Sequence, residues 1–554
     1  MTMIIQIRSE GKKLEKQYEQ PVTLKEIADS IQNELPYEIL LGRIDHKSAR
    51  LTRTVDHDCT VDLLDMRNNA ANMVYQASLT LLYIKAVHDV FDEKVRVEVH
   101  NSLSKGLYTT IHTGRLDDSC AEKIEKRMRE LVDLAIPFEE EVIDRRGMTE
   151  HSRSLHRIDQ LKLIESATDL EHAHIYTLLD EKELYYSELV PDTSYLKWFE
   201  VRRYKNGVLL RFPHQSKPDE VPEYEEQKLL YSAFSESARW CRIMNVETAA
   251  DLNRLVTARN YTDLILLSEA LHEKKIAEIA EQIHREKKRI ILIAGPSSSG
   301  KTTFAKRLII QLRVTGLRPL YLGTDDYFRE REETPVGKDG KPDFEGLDAL
   351  DSELFNAQMN DLLNGKKVDI PTFDFKSGHK QFGSRIISID STQPVVIEGL
   401  HCLNPALTNH ISDSEKFKIY ISPLTQLNID SHNRIPTTDA RMLRRIVRDA
   451  QFRGYPASKT IGMWPSVRAG EEVNIFPFNQ EADVFFNSQC LYELAVLKKY
   501  AKTLLEEITI DEPEYPEARR MLRFLEFFTA VDDDSMIPNN SIMREFIGGS
   551  VIAQ

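Results

Sequence analysis

An apolar segment that runs directly into a glycine-bounded loop constrains this fold more than any other feature of the chain. Residues 290–294 (IILIA) have the composition of a buried strand, and GPSSSGKTT follows at residues 295–303. Apolar residues at helical spacing, Phe304, Leu308 and Leu312, come next. The order of strand, G-x-x-x-x-G-K-[ST] and helix is typical of a loop that binds phosphate groups. A glycine- and serine-rich turn without a ligand is the alternative, which the flanking strand and helix disfavour.

The loop has the chemistry that a nucleoside triphosphate requires. Its two glycines permit backbone conformations that other residues avoid, so successive N–H groups can point at phosphates beside the positive end of a helix. Lys301 can reach the β- and γ-phosphates, and the Thr302 hydroxyl can ligate Mg²⁺. The predicted phosphate-binding residues are Gly295, Ser297, Ser298, Ser299, Gly300, Lys301, Thr302 and Thr303.

The length, net charge and cysteine pattern limit the number of domains, the binding partners and the cellular compartment that we expect. A length of 554 residues suggests about three domains. The net charge of −15 argues against broad binding to nucleic acids or membrane surfaces. The five cysteines include no C-x-x-C pair, which favours a reducing compartment and no sequence-local zinc site. Without a leader-like start or an 18-residue apolar stretch, we expect a cytoplasmic protein that does not contact the membrane.

Three blocks follow one another along the chain. Residues 1–65 are predicted to form a small mixed domain, in which Thr23 and Glu26 make a helix capping box. Residues 66–270 combine helices at 71–91 and 120–135 with strands that include paired segments at 195–201 and 207–212. A polar helix over 271–288 separates this block from the third, and the boundary is placed near residue 285.

The third block, residues 285–554, alternates strands with helices. This pattern predicts an α/β fold with a doubly wound parallel sheet. The predicted strands are 289–294, 318–323, 395–397 and 417–421, and the predicted helices are 301–315, 350–363, 438–452 and 488–508.

Two carboxylates follow predicted strands of this sheet. Asp325 comes just after the strand that ends at Gly323, and Glu398 ends the strand over 395–397. Ligands bind at the carboxyl ends of strands in such sheets. Asp325 is therefore the predicted general base, and Glu398 is a predicted ligand of Mg²⁺, directly or through water. The alternatives are an aspartate that satisfies its own turn and a purely structural glutamate.

A row of arginines lies between residues 441 and 453. Arg441, Arg445 and Arg448 share one helical face, which suits phosphate oxygens. The alternative is a solvated face paired with Asp439 and Asp449. Taken with the loop and the carboxylates, the row predicts phosphoryl transfer beneath a closing basic lid.

With these residues in place, residues 289–500 resemble the uridine kinase branch of the uridine kinase and phosphoribulokinase family. The motifs are GPSSSGKTT, GTDDYF, DFEGLDALD, PTFDF, VVIEGL, RRIVRDAQFRG and EADVFFNSQCLYEL. The resemblance implies ATP and Mg²⁺ as cofactors, with Lys301 and Asp325 as catalytic residues. It implies a Mg²⁺ site of Thr302, Glu398 and Asp325, ATP contacts from Arg448 and Arg453, and acceptor contacts from Asp348, Phe373, His379 and Arg445.

Two positions depart from the family pattern. Pyrimidine-nucleoside members have Y-D-F followed five residues later by histidine, whereas this chain has Phe373 and Gly378, with His379 one step out of register. The lid reads Arg453-Gly454-Tyr455 in place of R-G-R. These departures leave open whether the acceptor is a nucleoside or another sugar-containing metabolite.

The first two blocks resemble parts of a different enzyme. Residues 1–65 resemble a β-grasp TGS domain, and residues 66–270 resemble the α+β editing domain of threonyl-tRNA synthetase. The histidines and cysteine that editing requires are replaced here by Ala77, Leu81, Tyr185 and Leu189. Without imidazole and thiol ligands, we expect this domain to have lost its activity.

The leading hypothesis is a Mg²⁺- and ATP-dependent kinase that phosphorylates the 5′-hydroxyl of a small-molecule nucleoside such as uridine or cytidine. A kinase for another sugar-containing metabolite is the second. The third is an ATP-switched regulatory protein that binds RNA through the first two blocks, against which the acidic charge and the lack of basic aromatic clusters argue. The segment over 537–550 is expected to have a packing role; contact of Arg544 with a phosphate is the alternative.

Overall fold

The computed structural model describes residues 3–552 except residues 10, 92–94, 115, 337–342, 344–345 and 375–376. Parts of two motifs named above, DFEGLDALD and PTFDF, therefore lie outside the described residues. No helix in the described ranges is both long enough and apolar enough to cross a membrane.

The first region folds as a mixed sheet with a short helix. Its strands lie in the order β2-β1-β7-β4-β5, in which β1 runs parallel to β7 and the other neighbours are antiparallel. The predicted capping box is present, since the Thr23 hydroxyl accepts from the Glu26 N–H and the Glu26 carboxylate accepts from the Thr23 N–H. The elements are β1 (Met3–Ser9), β2 (Lys12–Tyr18), β3 (Val22–Thr23), α1 (Leu24–Asp29), β4 (Ile39–Ile44), β5 (Lys47–Ala49), β6 (Thr54–Val55) and β7 (Cys59–Asp65).

The second region contains two antiparallel sheets and several helices, of which α2 has every residue from Ser78 to Val87 buried. The sheets have the strand orders β10-β11-β12 and β13-β14-β9-β8. The elements are α2 (Asn69–Val90), β8 (Val97–Leu103), β9 (Gly106–Ile111), α3 (Asp118–Asp133), β10 (Glu139–Asp144), α4 (Arg145–Ser154), α5 (Ile158–Ser166), β11 (His172–Leu178), β12 (Glu181–Tyr185), β13 (Glu200–Tyr204), β14 (Gly207–Arg211), α6 (Lys228–Met244), α7 (Ala249–Thr257) and α8 (Tyr261–Glu286).

The predicted strand over 195–201 begins later than expected, although its predicted pairing with the strand at 207–212 is present. Thr193–Tyr195 forms a 3-10 turn capped by Asp192, and the strand begins only at Glu200. Leu196 and Phe199 are buried in the core of the first two regions, so the apolar pattern there reflects burial of an irregular segment.

The third region contains a five-stranded, wholly parallel sheet in the order β16-β21-β15-β22-β23. Its first elements are β15 (Ile290–Ala294), α9 (Lys301–Val314), β16 (Leu320–Gly323), α10 (Ser352–Leu363), β17 (Val368–Asp369), β18 (Thr372–Asp374), β19 (His379–Gln381), β20 (Ile386–Ile387), β21 (Val395–Glu398) and β22 (Lys416–Ser422). They are followed by α11 (Thr437–Arg453), α12 (Ala457–Asn474), β23 (Val484–Asn487), α13 (Glu493–Glu506), α14 (Tyr515–Glu526) and α15 (Arg544–Ile547).

Apolar side chains cover both faces of this sheet. Ile290 and Leu292 of β15 belong to the same core as Phe355 and Met359 of α10, and the alternate residues of β15 belong to a second core. That second core contains α9 and the apolar stripe of α8, which consists of Ile276, Ile279 and Ile283. The last turns of α8 therefore lie against the parallel sheet, although the same continuous helix begins at Tyr261 in the second region.

The loop between β22 and α11 connects the third region to the second. The Ser431 N–H donates to the Asp159 carboxylate (2.9 Å), and the His432 ring contacts Glu183 (2.9 Å). At the turn itself, the Asp430 carboxylate accepts from the N–H groups of His432 and Asn433. Burial raises the pKa of Asp430 to about 6, and the neighbouring Asp159 adds to this shift.

Candidate active site

The phosphate-type loop connects the end of β15 to the start of α9. A side chain at Gly295 would collide with the main-chain oxygen of Ile421 on the adjacent strand, so only glycine allows this close approach. Gly300, the N-cap of α9, has φ +84°, and Ser298 has φ +60°. Both values lie in the left-handed region, which lets the loop curve back around the helix N-terminus.

The side chains of Lys301 and Thr302 lie at the mouth of this loop. Lys301 Nζ donates to the carbonyls of Gly295 (2.9 Å) and Pro296 (3.3 Å). The Thr302 hydroxyl donates to Glu398 Oε1 at 2.7 Å. In the sheet, Glu398 is in register with Ile293 on one side and Gly323 on the other. The sheet register therefore places Glu398 between the loop and the segment that carries Asp325.

Asp325 lies in the 3-10 turn Thr324–Tyr327, directly after β16. Asp325 is accessible to solvent, although many protein atoms surround its carboxylate. This burial, and then the nearby Glu398 carboxylate, raise the pKa of Asp325, while Lys301 opposes the shift. The adjacent Asp326 has a different partner, because Arg385 Nη1 donates to its carboxylate at 2.6 Å.

The hydroxyl of Thr302 and the carboxylates of Glu398 and Asp325 are the groups of this site that could hold a magnesium ion. Mg²⁺ prefers hard oxygen ligands and binds proteins through one or two carboxylates together with phosphates and water. The Asp325 carboxylate, whose pKa the nearby Glu398 raises, forms such a donor set together with Glu398 and the Thr302 hydroxyl. A bound Mg²⁺ would offset this repulsion and neutralise part of the phosphate charge.

The arginines of α11 pack directly on the loop. Arg441 Nε donates to the Ser297 carbonyl (3.0 Å), Arg444 Nη1 to the Ser298 carbonyl (3.4 Å), and Arg445 Nη1 to the Ser297 hydroxyl (2.8 Å). Arg441 is buried and pairs with Glu471, whose carboxylate also accepts from the Ser297 N–H at 3.0 Å. Sequence spacing gave no indication of Glu471, which lies 174 residues from Ser297.

Three arginines of the predicted lid share one counter-ion. Arg445, Arg448 and Arg453 lie 3.3, 3.0 and 3.2 Å from the carboxylate oxygens of Asp449, which is fully buried. The pairing with Asp449 that was considered as the alternative is thus present, while Arg445 also contacts the loop. Asp439 pairs instead with Arg520, through contacts of 2.7 and 2.8 Å. Arg448 and Arg453 remain predicted, not observed, phosphate contacts.

Three of the four predicted acceptor residues, Phe373, Asp348 and His379, contact the segment 328–331, whereas Arg445 contacts the phosphate loop. The Phe373 ring lies 5.7 Å from that of Phe328, between centroids. The backbone of Asp348 is held by Arg329 Nε, which donates to its carbonyl (3.0 Å). His379 Nδ1 contacts Glu330 at 2.6 Å. A side chain at Gly378, whose φ is +81°, would meet Cβ and Nε of Arg331 at 2.8 Å.

Comparison with known proteins identifies relatives of the third region. Residues 290–494 match the Phosphoribulokinase / Uridine kinase family. A uridine kinase from Macrococcus caseolyticus is 29% identical over 199 residues, which cover 36% of this chain and 87% of that protein. A uridine kinase from Mycoplasma genitalium is 30% identical over 184 residues, 33% of this chain and 77% of that protein.

Among solved structures, that of a possible uridine kinase from Bacillus stearothermophilus covers 36% of this chain and 88% of its own, with 18% identity and a TM-score of 0.24. The range matched by the family, residues 290–494, spans the loop, Asp325, Glu398 and α11. Through its residues 290–494, the chain belongs to the phosphoribulokinase and uridine kinase family of ATP-dependent kinases.

Proposed function

We propose that this protein transfers the γ-phosphate of ATP to the 5′-hydroxyl of a nucleoside, with uridine or cytidine as the first acceptors to test. The observation that carries the proposal is the position of Asp325. It lies near Lys301 and Glu398 on one side, and its 3-10 turn leads directly into the 328–331 segment on the other.

Each residue of the site has a role in this reaction. The N–H groups of the loop and Lys301 bind the triphosphate, and Thr302 and Glu398 hold the Mg²⁺ that neutralises developing charge. Asp325 orients the acceptor hydroxyl and accepts its proton as the oxygen attacks phosphorus. A carboxylate with a raised pKa is a stronger base than an ordinary aspartate, which favours this proton transfer. Asp348, Phe373, His379 and Arg445 are the proposed acceptor contacts.

A second acceptor class is supported by the departures at Phe373 and Gly378. Where pyrimidine-nucleoside members place histidine, this chain has a glycine against which the Arg331 side chain packs. A guanidinium there would suit a sugar-containing metabolite that carries an anionic or carbonyl-rich group. The reaction and the roles of Asp325, Lys301 and Glu398 stay the same in this alternative.

An acceptor panel tests the proposal. ADP release by the full chain with Mg²⁺ and ATP would be measured against nucleosides and phosphate-free sugars, and product position would be read by ³¹P NMR. We expect turnover with at least one nucleoside and a 5′-phosphate product. Turnover with a non-nucleoside alone would favour the second class. If no acceptor raises ADP release above the hydrolysis background, the proposal is wrong.

We also propose that residues 1–65 form a TGS-like β-grasp domain, and that residues 66–270 form an inactive editing-like domain. The mixed sheet order of the first region supports the former. For the latter, Leu81, Tyr185 and Leu189 are buried in the hydrophobic core, where neither a metal nor a substrate could reach them. A deacylation assay with mischarged threonine tRNA should therefore show no activity.

A further inference from the structure

The C-terminal segment over 541–547, here called the tail, packs against the phosphate loop. It lies beyond the family match, which ends at residue 494. Ile542 and Phe546 are fully buried, and Ile542 Cγ2 lies 2.6 Å from where a side chain at Gly300 would begin. Phe546 packs under the Arg444 guanidinium, which itself donates to the loop carbonyl of Ser298.

A buried carboxylate holds the start of the tail in place. The Ser541 hydroxyl donates to Glu269 Oε1 at 2.6 Å, and the Tyr492 hydroxyl donates to the same oxygen at 2.7 Å. Glu269 belongs to α8, and Arg307 of α9 donates to its other oxygen at 3.3 Å. The tail is therefore fixed to the helix that follows the phosphate loop.

From this position the tail presents an anion to the first turn of α9. Glu545 Oε2 accepts from the Thr303 hydroxyl (2.5 Å) and from the Thr303 N–H (3.3 Å). Thr303 ends the GPSSSGKTT motif, and N–H groups in the first turn of such a helix are the donors that bind phosphate oxygens. A phosphate at this turn and the Glu545 carboxylate would use the same donors.

Glu545 and Glu471 both accept a hydrogen bond from an N–H group of the phosphate loop, but they differ in their ionic partners. Glu471 also accepts from a loop N–H, that of Ser297, but it is paired with the buried Arg441 and with Arg468 at 3.1 Å. Its charge is thus largely neutralised. Within the described ranges Glu545 forms no ion pair with a lysine, arginine or histidine, so its full negative charge faces the loop.

We propose that Glu545 sets the affinity of this kinase for ATP by competing with the triphosphate for Thr303. Coulomb repulsion between this carboxylate and the phosphates weakens the binding of a triphosphate at the same turn. ATP binding therefore requires the Glu545 carboxylate to leave Thr303, and the tail loosens when the nucleotide binds. The inference rests on the ATP site of the proposed function.

Calorimetric titration of the full chain with a non-hydrolysable ATP analogue and Mg²⁺ tests whether Glu545 lowers the affinity for the nucleotide. Glu545→Gln removes the charge and keeps an acceptor for Thr303, and we expect it to bind the analogue about tenfold more tightly than the wild type. The difference should shrink as NaCl is raised, because salt screens the repulsion. Glu506→Gln is the control. It removes the same charge from an exposed residue at the end of α13, outside the phosphate loop and the tail, and it should leave the affinity unchanged.

Hydrogen exchange gives a second readout. Amides of 541–547 should exchange faster in the wild type when the analogue is bound. Equal or weaker binding by a folded Glu545→Gln protein would overturn the competition and assign the tail a supporting role. If that variant does not fold, Glu545→Asp replaces it, because the shorter side chain cannot keep both contacts with Thr303. Glu545→Asp should also bind the analogue more tightly than the wild type. Weaker binding by this variant would overturn the proposal as well. Absence of binding by the wild type would instead refute the ATP site itself.

Discussion

The Thr302 hydroxyl and the Glu398 carboxylate are joined by a 2.7 Å hydrogen bond between the first turn of α9 and the end of β21. This contact connects a residue of the phosphate loop to the adjacent strand of the sheet. It brings together two hard oxygen groups of the kind that Mg²⁺ prefers as ligands.

Removal of the Glu398 charge should raise the requirement for magnesium. We expect Glu398→Gln to increase the Mg²⁺ concentration for half-maximal turnover by at least about tenfold, because metal-site partners of this kind contribute 10- to 100-fold. A magnesium titration at saturating ATP measures this. Glu353→Gln, an exposed residue in the first turn of α10, is the matched control and should behave as wild type.

Asp325 should be needed for the chemical step and not for nucleotide binding. We expect Asp325→Asn to lower kcat by at least about a hundredfold, since a general base contributes roughly 10²–10⁴. Calorimetry should show an ATP affinity close to that of the wild type. Asp326→Asn tests the assignment, because Asp326 is engaged by Arg385. Normal turnover by Asp325→Asn with loss in Asp326→Asn would transfer the role to Asp326.

Lys301 should affect both binding and turnover. A charge-assisted hydrogen bond contributes about 1.5–3 kcal/mol, so Lys301→Ala should weaken ATP binding by at least about tenfold and also lower kcat. The measurement is a titration with the non-hydrolysable analogue combined with steady-state rates. Lys306→Ala on the same helix controls for loss of a nearby charge, and an equal effect of both changes would contradict the assignment.

The loop at Asp430 should make stability depend on pH. The pKa of Asp430 is raised to about 6, so the folded protein binds more protons than the unfolded chain below that value. Its contribution therefore becomes more destabilising as pH rises from about 4 through 6, and the full penalty applies above 6.

Urea unfolding of the wild type and of Asp430→Asn measures this contribution. The free energy of unfolding of the wild type should fall relative to that of the variant by about 1 kcal/mol between about pH 5 and pH 7. Because the asparagine does not ionise, the variant lacks this component of the pH dependence. Parallel pH profiles of the two proteins would contradict the shift.

The elements that were predicted in the third region lie within a few residues of the observed ones because their signals are local, whereas α12, α14 and β23 were not predicted. The run over 290–303 and the apolar segments that became β21 and β22 each specify their own structure. The segment around Tyr195 was misread because an apolar alternation cannot distinguish a strand from a buried turn.

The side chains around the loop were predicted less completely. Asp325 and Glu398 follow their strands directly and could be identified from sequence. The contact between Thr303 and Glu545 joins residues 242 positions apart, and that of Ser297 with Glu471 joins residues 174 apart. Patterns of sequence spacing cannot predict contacts between residues so far apart, because these contacts depend on how the tail and α12 pack against the sheet.

The continuity of α8 has a practical consequence for anyone who wishes to study catalysis on a smaller protein. Ile276, Ile279 and Ile283 cover the sheet from a helix that starts within the preceding region. A fragment that begins at residue 285 would lack these three isoleucines. The apolar face of the sheet that they cover would then be exposed to water, and the fragment should aggregate. A fragment that begins before Tyr261 would keep the whole of α8 and therefore its contact with the sheet.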